Sequence, residues 1–118
     1  LPARVVHEDE DHIAFLPLEH INPGHIVLIP RGHTDDLFDL DASAYQRLWA
    51  VVAKLAPPLR AAFAAKRVGV AVEGFNVPHV HVHLIPMDTM NDVNFKNPKL
   101  KFTPEEFSEI AEKIRSKF

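Results

Sequence analysis

The sequence predicts an α+β domain: a mostly antiparallel sheet of five strands, one long helix packed on it, and a second helix at the C-terminus. Three observations carry this. Short apolar runs bounded by Pro and Gly recur before residue 31 and again between residues 68 and 86. Between them, apolar residues step by three and four from Tyr45 to Phe63. A capping pattern then opens segment 103–118. The order is β-β-β-α-β-β-α, read as one domain over 1–118 with a core over 2–86, an extended loop over 87–102 and a terminal helix over 103–118.

Each element has a local reason. Arg4–His7 is short and β-prone, and Glu8–Asp11 is a charged turn. His12–Leu18 is a strand that Pro17 ends or confines to an edge. Asn22-Pro23-Gly24 is a turn, because Pro fixes one negative φ and Gly supplies a positive one. His25–Ile29 is an apolar run bounded by Pro30 and reads as a covered strand, followed by a polar loop over Arg31–Leu40 that carries His33.

A helix starts at Asp41. Tyr45, Leu48, Val52 and Leu55 share one face, and the count continues through Leu59, Ala62 and Phe63 across Pro57-Pro58. The expectation is therefore one kinked helix or two short ones on the same surface. Val68–Val72 is a β-branched strand, and Val77–Ile85, closed by Pro86, is the clearest strand of all. Met87–Leu100 shows no period and reads as a loop. Thr103-Pro104-Glu105-Glu106 is a capping box with Pro at the first helical position, and Phe107, Ile110, Ala111 and Ile114 stripe the helix that follows.

Composition narrows the function. A chain of 118 residues hides roughly two-thirds of its unfolded surface. Its 47% apolar and 25% charged content is that of a soluble globular protein. No apolar run approaches the roughly 18 residues of a membrane span and no signal-peptide pattern opens the chain, so a cytoplasmic protein with no membrane partner is expected. The absence of cysteine removes thiol catalysis and Cys-ligated metals, and a net charge of −3 argues against a nucleic-acid groove. The eight histidines are the unusual feature, and three of them fall within five residues.

In His79-Val80-His81-Val82-His83-Leu84-Ile85 the side chains alternate with period two. Extended backbone puts the three imidazoles on one face and Val80, Val82 and Leu84 on the other. The aliphatic face buries against the helix, and the imidazole face borders solvent or a polar cleft, since a buried ring nitrogen needs a partner. A lone strand histidine is commonly a half-buried residue satisfied by a backbone carbonyl, and His7, His12 and His20 are read that way. Three on alternate positions invite chemistry.

Two readings compete. His-x-His can supply two zinc ligands, with His25 or His33 as outside donors. But His79 and His83 start about 13 Å apart along a strand, too far to converge readily on one ion. Alternatively, a neutral imidazole is both unprotonated and nucleophilic near pH 7 and can attack phosphorus while its neighbours hold phosphate oxygens. That reading uses all three rings and needs no metal or other cofactor. The chain has no phosphate-binding P-loop pattern, and only four glycines from which to build one.

The run His79–Ile85 fits the histidine triad signature, His-φ-His-φ-His-φ-φ with φ apolar, at all seven positions. Arg4–Asp9, Ile13–Leu16 and Pro23–His33 follow in the corresponding order, so the resemblance spans residues 2 to 86. The chain resembles the histidine triad (HIT) family, nearest its small Hint-type nucleotide-binding branch. The resemblance implies a HIT-like fold and a hydrolase or nucleotidyl transferase acting at the α-phosphate of purine nucleotides, phosphoramidase-like. His81 would be the nucleophile and form a transient nucleotidyl-histidine. It would be oriented by the backbone carbonyl of His79, with His83 at the phosphate or leaving group and His25 behind the triad. Gly74 and Asn76 fall where the family places a glycine and a Ser/Thr-type group near the phosphate. Phe15 and Leu18 fall in the strand that lines the nucleoside pocket.

The resemblance also implies a homodimer through the long helix and a neighbouring strand, with Trp49 a candidate interface residue; a peripheral core position is its equal alternative. Pro17 stands where many members carry an aspartate for the ribose hydroxyls, and the 73–78 loop is shorter than usual. The family's N-terminal segment, often bearing a Cys pair for zinc, precedes the point where this sequence starts. The terminal helix is expected to pack over the sheet or a partner. Dinucleoside polyphosphate hydrolysis, and a nucleotide-binding module with little catalysis, remain the alternatives.

Overall fold

In the computed structural model, which describes residues 4–74 and 77–118, five antiparallel strands form one sheet in the order β1-β2-β4-β6-β5. They are β1 (Val5–Glu8), β2 (His12–Phe15), β4 (Ile26–Pro30), β5 (Arg67–Val72) and β6 (Val82–Met87). Two short strands, β3 (Glu19–His20) and β7 (Leu100–Lys101), pair separately. This ribbon lies partly in the segment read as loop, which also holds a 3-10 turn at Met90–Val93. Two-residue strands are too short to show a period, so pattern alone could not find them.

Helix α1 (Ala42–Ala62) runs unbroken through Pro57 and Pro58, one helix of about 31 Å and not two. The prolines withdraw donors from the carbonyls of Ala53 and Lys54, and both of those residues are exposed to water, which replaces the lost bonds. Asp41 caps the start, its side chain accepting from the Ala44 N–H. Leu48, Val52, Leu55, Leu59 and Ala62 are buried as their spacing predicts. Tyr45 is not: it lies outside the core face and pairs with Phe38 and Trp49.

Helix α2 (Pro104–Arg115) has the capping box the sequence predicts, between Thr103 and Glu106. It adds Ala111 and Ile114 to the core, with Phe107 and Ile110 packed at its border. Arg115 fastens it to the sheet edge, its Nε and Nη2 donating to the Val5 carbonyl at 3.0 and 2.6 Å.

The strand read over Val77–Ile85 needs correction. Its ladder begins only at Val82 and passes through Pro86 to Met87. Pro86 is tolerated because β4 pairs with β6 only at Val82, His83 and Leu84, so no ladder bond is sought there on that side. Instead the Pro86 carbonyl accepts from Asn22 Nδ2 at 2.8 Å. Asn22 opens the predicted turn, closed by His25 N–H to the Asn22 carbonyl at 3.1 Å. Pro23 then Gly24 at φ +86° gives it type II character. A Cβ on Gly24 would also meet the Phe63 ring at 2.4 Å.

Candidate active site

The sheet register brings the site together. Phe15 pairs with Val27, Val27 with His83, and His83 with Ala71, so these four side chains share one row on the face away from α1. The next row, Ala14, Leu28 and Val82, points into the core under Leu48, Val52, Leu55 and Leu59. Alternation continues past the ladder: Val80, Val82 and Leu84 are buried, whereas His79, His81 and His83 are half-buried on the other face. Ring centroids lie 5.6 Å apart for His79 and His81, and 6.5 Å apart for His81 and His83.

The hydrogen bonds assign the tautomers. A carbonyl only accepts, so His81 Nδ1, 2.6 Å from the His79 carbonyl, carries the proton and Nε2 keeps a bare lone pair. A backbone N–H only donates, so His25 Nδ1 accepts from Ile21 at 3.2 Å and its proton sits on Nε2. That proton is given to His83 Nδ1 at 2.9 Å, which leaves His83 with its own N–H on Nε2. The site therefore pairs an unprotonated ring nitrogen on His81 with a ring N–H on His83.

Electrostatics keep this relay neutral. His25 is buried, and burial, assisted by His83, His20 and Lys99, lowers its pKa to about 3. Burial also lowers that of His83; the Glu73 carboxylate opposes the shift and His81 adds to it.

A cavity of about 590 Å³, of ordinary ligand size, opens against His83 and His25, walled by Pro17, Glu19, Ile21, Ala71, Glu73, Phe95 and Lys99. Phe95 meets the His83 ring edge-on, centroids 5.3 Å apart. The Lys99 ammonium donates to the carbonyls of Phe95 and, at 3.2 Å, Asn97. Sequence reasoning missed Glu73, Phe95 and Lys99: two come from the segment without a period, and nothing local marks them as neighbours of a histidine far back in the chain.

Of the other residues singled out, Phe15 lies in the His83 row two strands away, about 10 Å off. Leu18 is 66% exposed and outside the cavity wall. Gly74 lines a different cavity, of about 440 Å³, with Asp35, Asp36 and Phe38. Asn76 lies outside the described residues. Trp49 is half-buried against the core, its Nε1 enclosed without an acceptor among the described residues.

Two of the three histidines read as carbonyl-bonded are held by a carboxylate instead. His7 and His12 both bond the Asp9 carboxylate, at 3.1 and 3.0 Å. Burial would raise the Asp9 pKa, but hydrogen bonds from His7, Asp11 and His12 outweigh it and bring it to about 2. His20 is fully buried between His25, Phe102 and Phe107, and neither ring nitrogen meets hydrogen-bond geometry with a described residue. Burial lowers its pKa to about 4, against the pull of the Pro17 backbone. Among the described residues no cluster of three or more His, Asp or Glu is arranged to hold a metal ion.

Comparison with known proteins identifies the fold and the family. An uncharacterized HIT-like protein of Borreliella burgdorferi is 29% identical over 97% of this chain and 88% of its own length. The asymmetrical bis(5'-nucleosyl)-tetraphosphatase of Schizosaccharomyces pombe is 36% identical over 62% of this chain and 43% of its own length. A HIT-like protein of Bartonella henselae, crystallised with an unknown ligand, superposes with a TM-score of 0.83 at 29% identity, covering all of this chain and 88% of that one. The HIT domain profile matches residues 1–90, within which lie the histidine row, its orienting carbonyl and the buried fourth histidine, and the chain belongs to the HIT family.

Proposed function

We propose that this protein is a nucleotide-binding hydrolase that cleaves purine nucleotide conjugates at the α-phosphorus, with an amine as leaving group and His81 as nucleophile. The observation that carries the reading is the 2.6 Å bond from His81 Nδ1 to the His79 carbonyl. It leaves Nε2 free to attack, and once Nε2 bonds phosphorus the ring becomes cationic with its remaining N–H already facing a carbonyl dipole.

The steps balance. Nε2 forms a bond to phosphorus as the P–N bond of the substrate breaks, and the departing nitrogen takes a proton from solvent. His83 Nε2–H donates to a phosphoryl oxygen meanwhile, a fixed dipole where negative charge builds up. Water then forms the P–O bond, the P–N bond to His81 breaks, and the proton taken up is returned. Splitting one displacement into two is the advantage of covalent catalysis. Phe15, in the same row as His83, supports a nucleoside pocket on that side.

The cavity wall bears on the leaving group. Glu19 and Glu73 face the space with Lys99 as the sole cation among the wall residues, an excess of negative charge that disfavours a polyphosphate leaving group. The tetraphosphatase relative motivates the second reading, dinucleoside polyphosphate hydrolysis. The test is turnover of a purine nucleoside phosphoramidate and of a diadenosine polyphosphate by the wild type and His81→Ala. The expected result is faster phosphoramidate cleavage by the wild type and loss of about 100-fold or more in the variant. Equal cleavage by both proteins overturns the nucleophile assignment.

We also infer that two copies join through β5, an edge strand whose outer side no described strand covers and whose Val70 is 43% exposed.

A further inference from the structure

The peptide unit between His79 and Val80 lies before the β6 ladder, which starts at Val82. Sheet pairing therefore does not set its direction, although its carbonyl is the group that holds His81. The C=O and N–H of one trans peptide point opposite ways. Here the Val80 N–H donates to the Thr34 carbonyl at 2.9 Å, which turns the His79 carbonyl toward His81.

The loop that supplies Thr34 also grips the His79 ring. His79 Nε2 lies 3.2 Å from the Pro30 carbonyl and must carry the proton, so Nδ1 of the neutral ring is an acceptor. His33 Nδ1, 3.1 Å away, is then the donor. Both nitrogens of His79 are thereby fixed by residues 30–33, and the backbone that follows by residue 34.

We propose that His33 is a positioning residue for the nucleophile: it pins the His79 ring so that the His79 carbonyl keeps His81 in its Nδ1–H tautomer. The proposal rests on the reading of His81 given above, but its primary readout does not. His33 is exposed, so its replacement leaves the core intact.

His33→Phe keeps a ring and removes the donor, and His33→Asn returns an N–H. Long-range nitrogen–proton NMR reports the His81 tautomer, and kinetics on a purine nucleoside phosphoramidate report its consequence. In His33→Phe the expected result is a His81 signal shifted toward a tautomer mixture and a kcat about tenfold lower with little change in KM. His33→Asn should recover both. An unchanged His81 tautomer in His33→Phe overturns the proposal, as does a loss in His33→Asn equal to that in His33→Phe. If the tautomer moves while His81→Ala retains full turnover, the positioning role stands and the nucleophile assignment fails.

Discussion

At the scale of single residues, the histidines divide by the hydrogen-bond partner that each nitrogen is given. The same side chain keeps a bare Nε2 at 81, where we propose the nucleophile, an Nε2–H donor at 83 and a bridging Nε2–H at 25, because a carbonyl, a ring nitrogen and a backbone N–H make different demands. Burial has a second consequence. His20 and His25 are 0% and 3% exposed, and their pKa values fall from 6.5 to about 4 and about 3. An unfolded chain would protonate both near 6.5, so between that pH and the folded values it binds more protons than the native state. Stability is complete above this window and declines as pH falls through it, by up to about 1.4 kcal/mol per pH unit for each group. Asp9 acts with the same sign lower down, its contribution present above 3.8 and lost as pH falls toward about 2. Urea midpoints should drop as pH is lowered from about 7 to about 4.5, and His20→Phe should drop less. A midpoint that does not move would refute this.

At the scale of elements, α1 ends on an unusual residue. Ala64 follows its cap with φ +48°, where L side chains are strained and glycine is not. Ala64 is exposed and its N–H bonds the Ala61 carbonyl, so only the backbone strain changes on replacement. Ala64→Gly should stabilise the protein by about 1 kcal/mol, seen as a rise in Tm. A lower Tm would show that this conformation is not strained. The helices were legible in the sequence because their signals are local: Asp41 as a start, Thr103 as a cap, and the stripes from Leu48 to Ala62 and from Phe107 to Ile114. The start of β6 was not. His79–His81 alternate like a strand, yet their backbone answers to the loop at Pro30–Thr34, a contact made across almost fifty residues.

At the scale of the whole molecule, the proposed dimer would extend the sheet through β5 and cover Val70. Light scattering should give twice the 13.3 kDa chain mass, and Val70→Arg should return the monomer. A monomeric wild type at working concentration would rule this interface out. Pairing through β5 would also bear on the site, since the strand carries Ala71 in the His83 row and leads directly into Glu73.

What the sequence determined alone is the set of faces: which residues point inward, Tyr45 excepted, where helices start, and that three imidazoles line up opposite an aliphatic stripe. These follow from periodicity and capping, which act over a few residues. The tertiary structure decided which nitrogen of each ring holds its proton, and that Phe95, Lys99 and Glu73 enclose His83 while Gly74 and Leu18 stand apart. Those outcomes depend on partners brought close by folding from distant parts of the chain, and no local pattern encodes who meets whom.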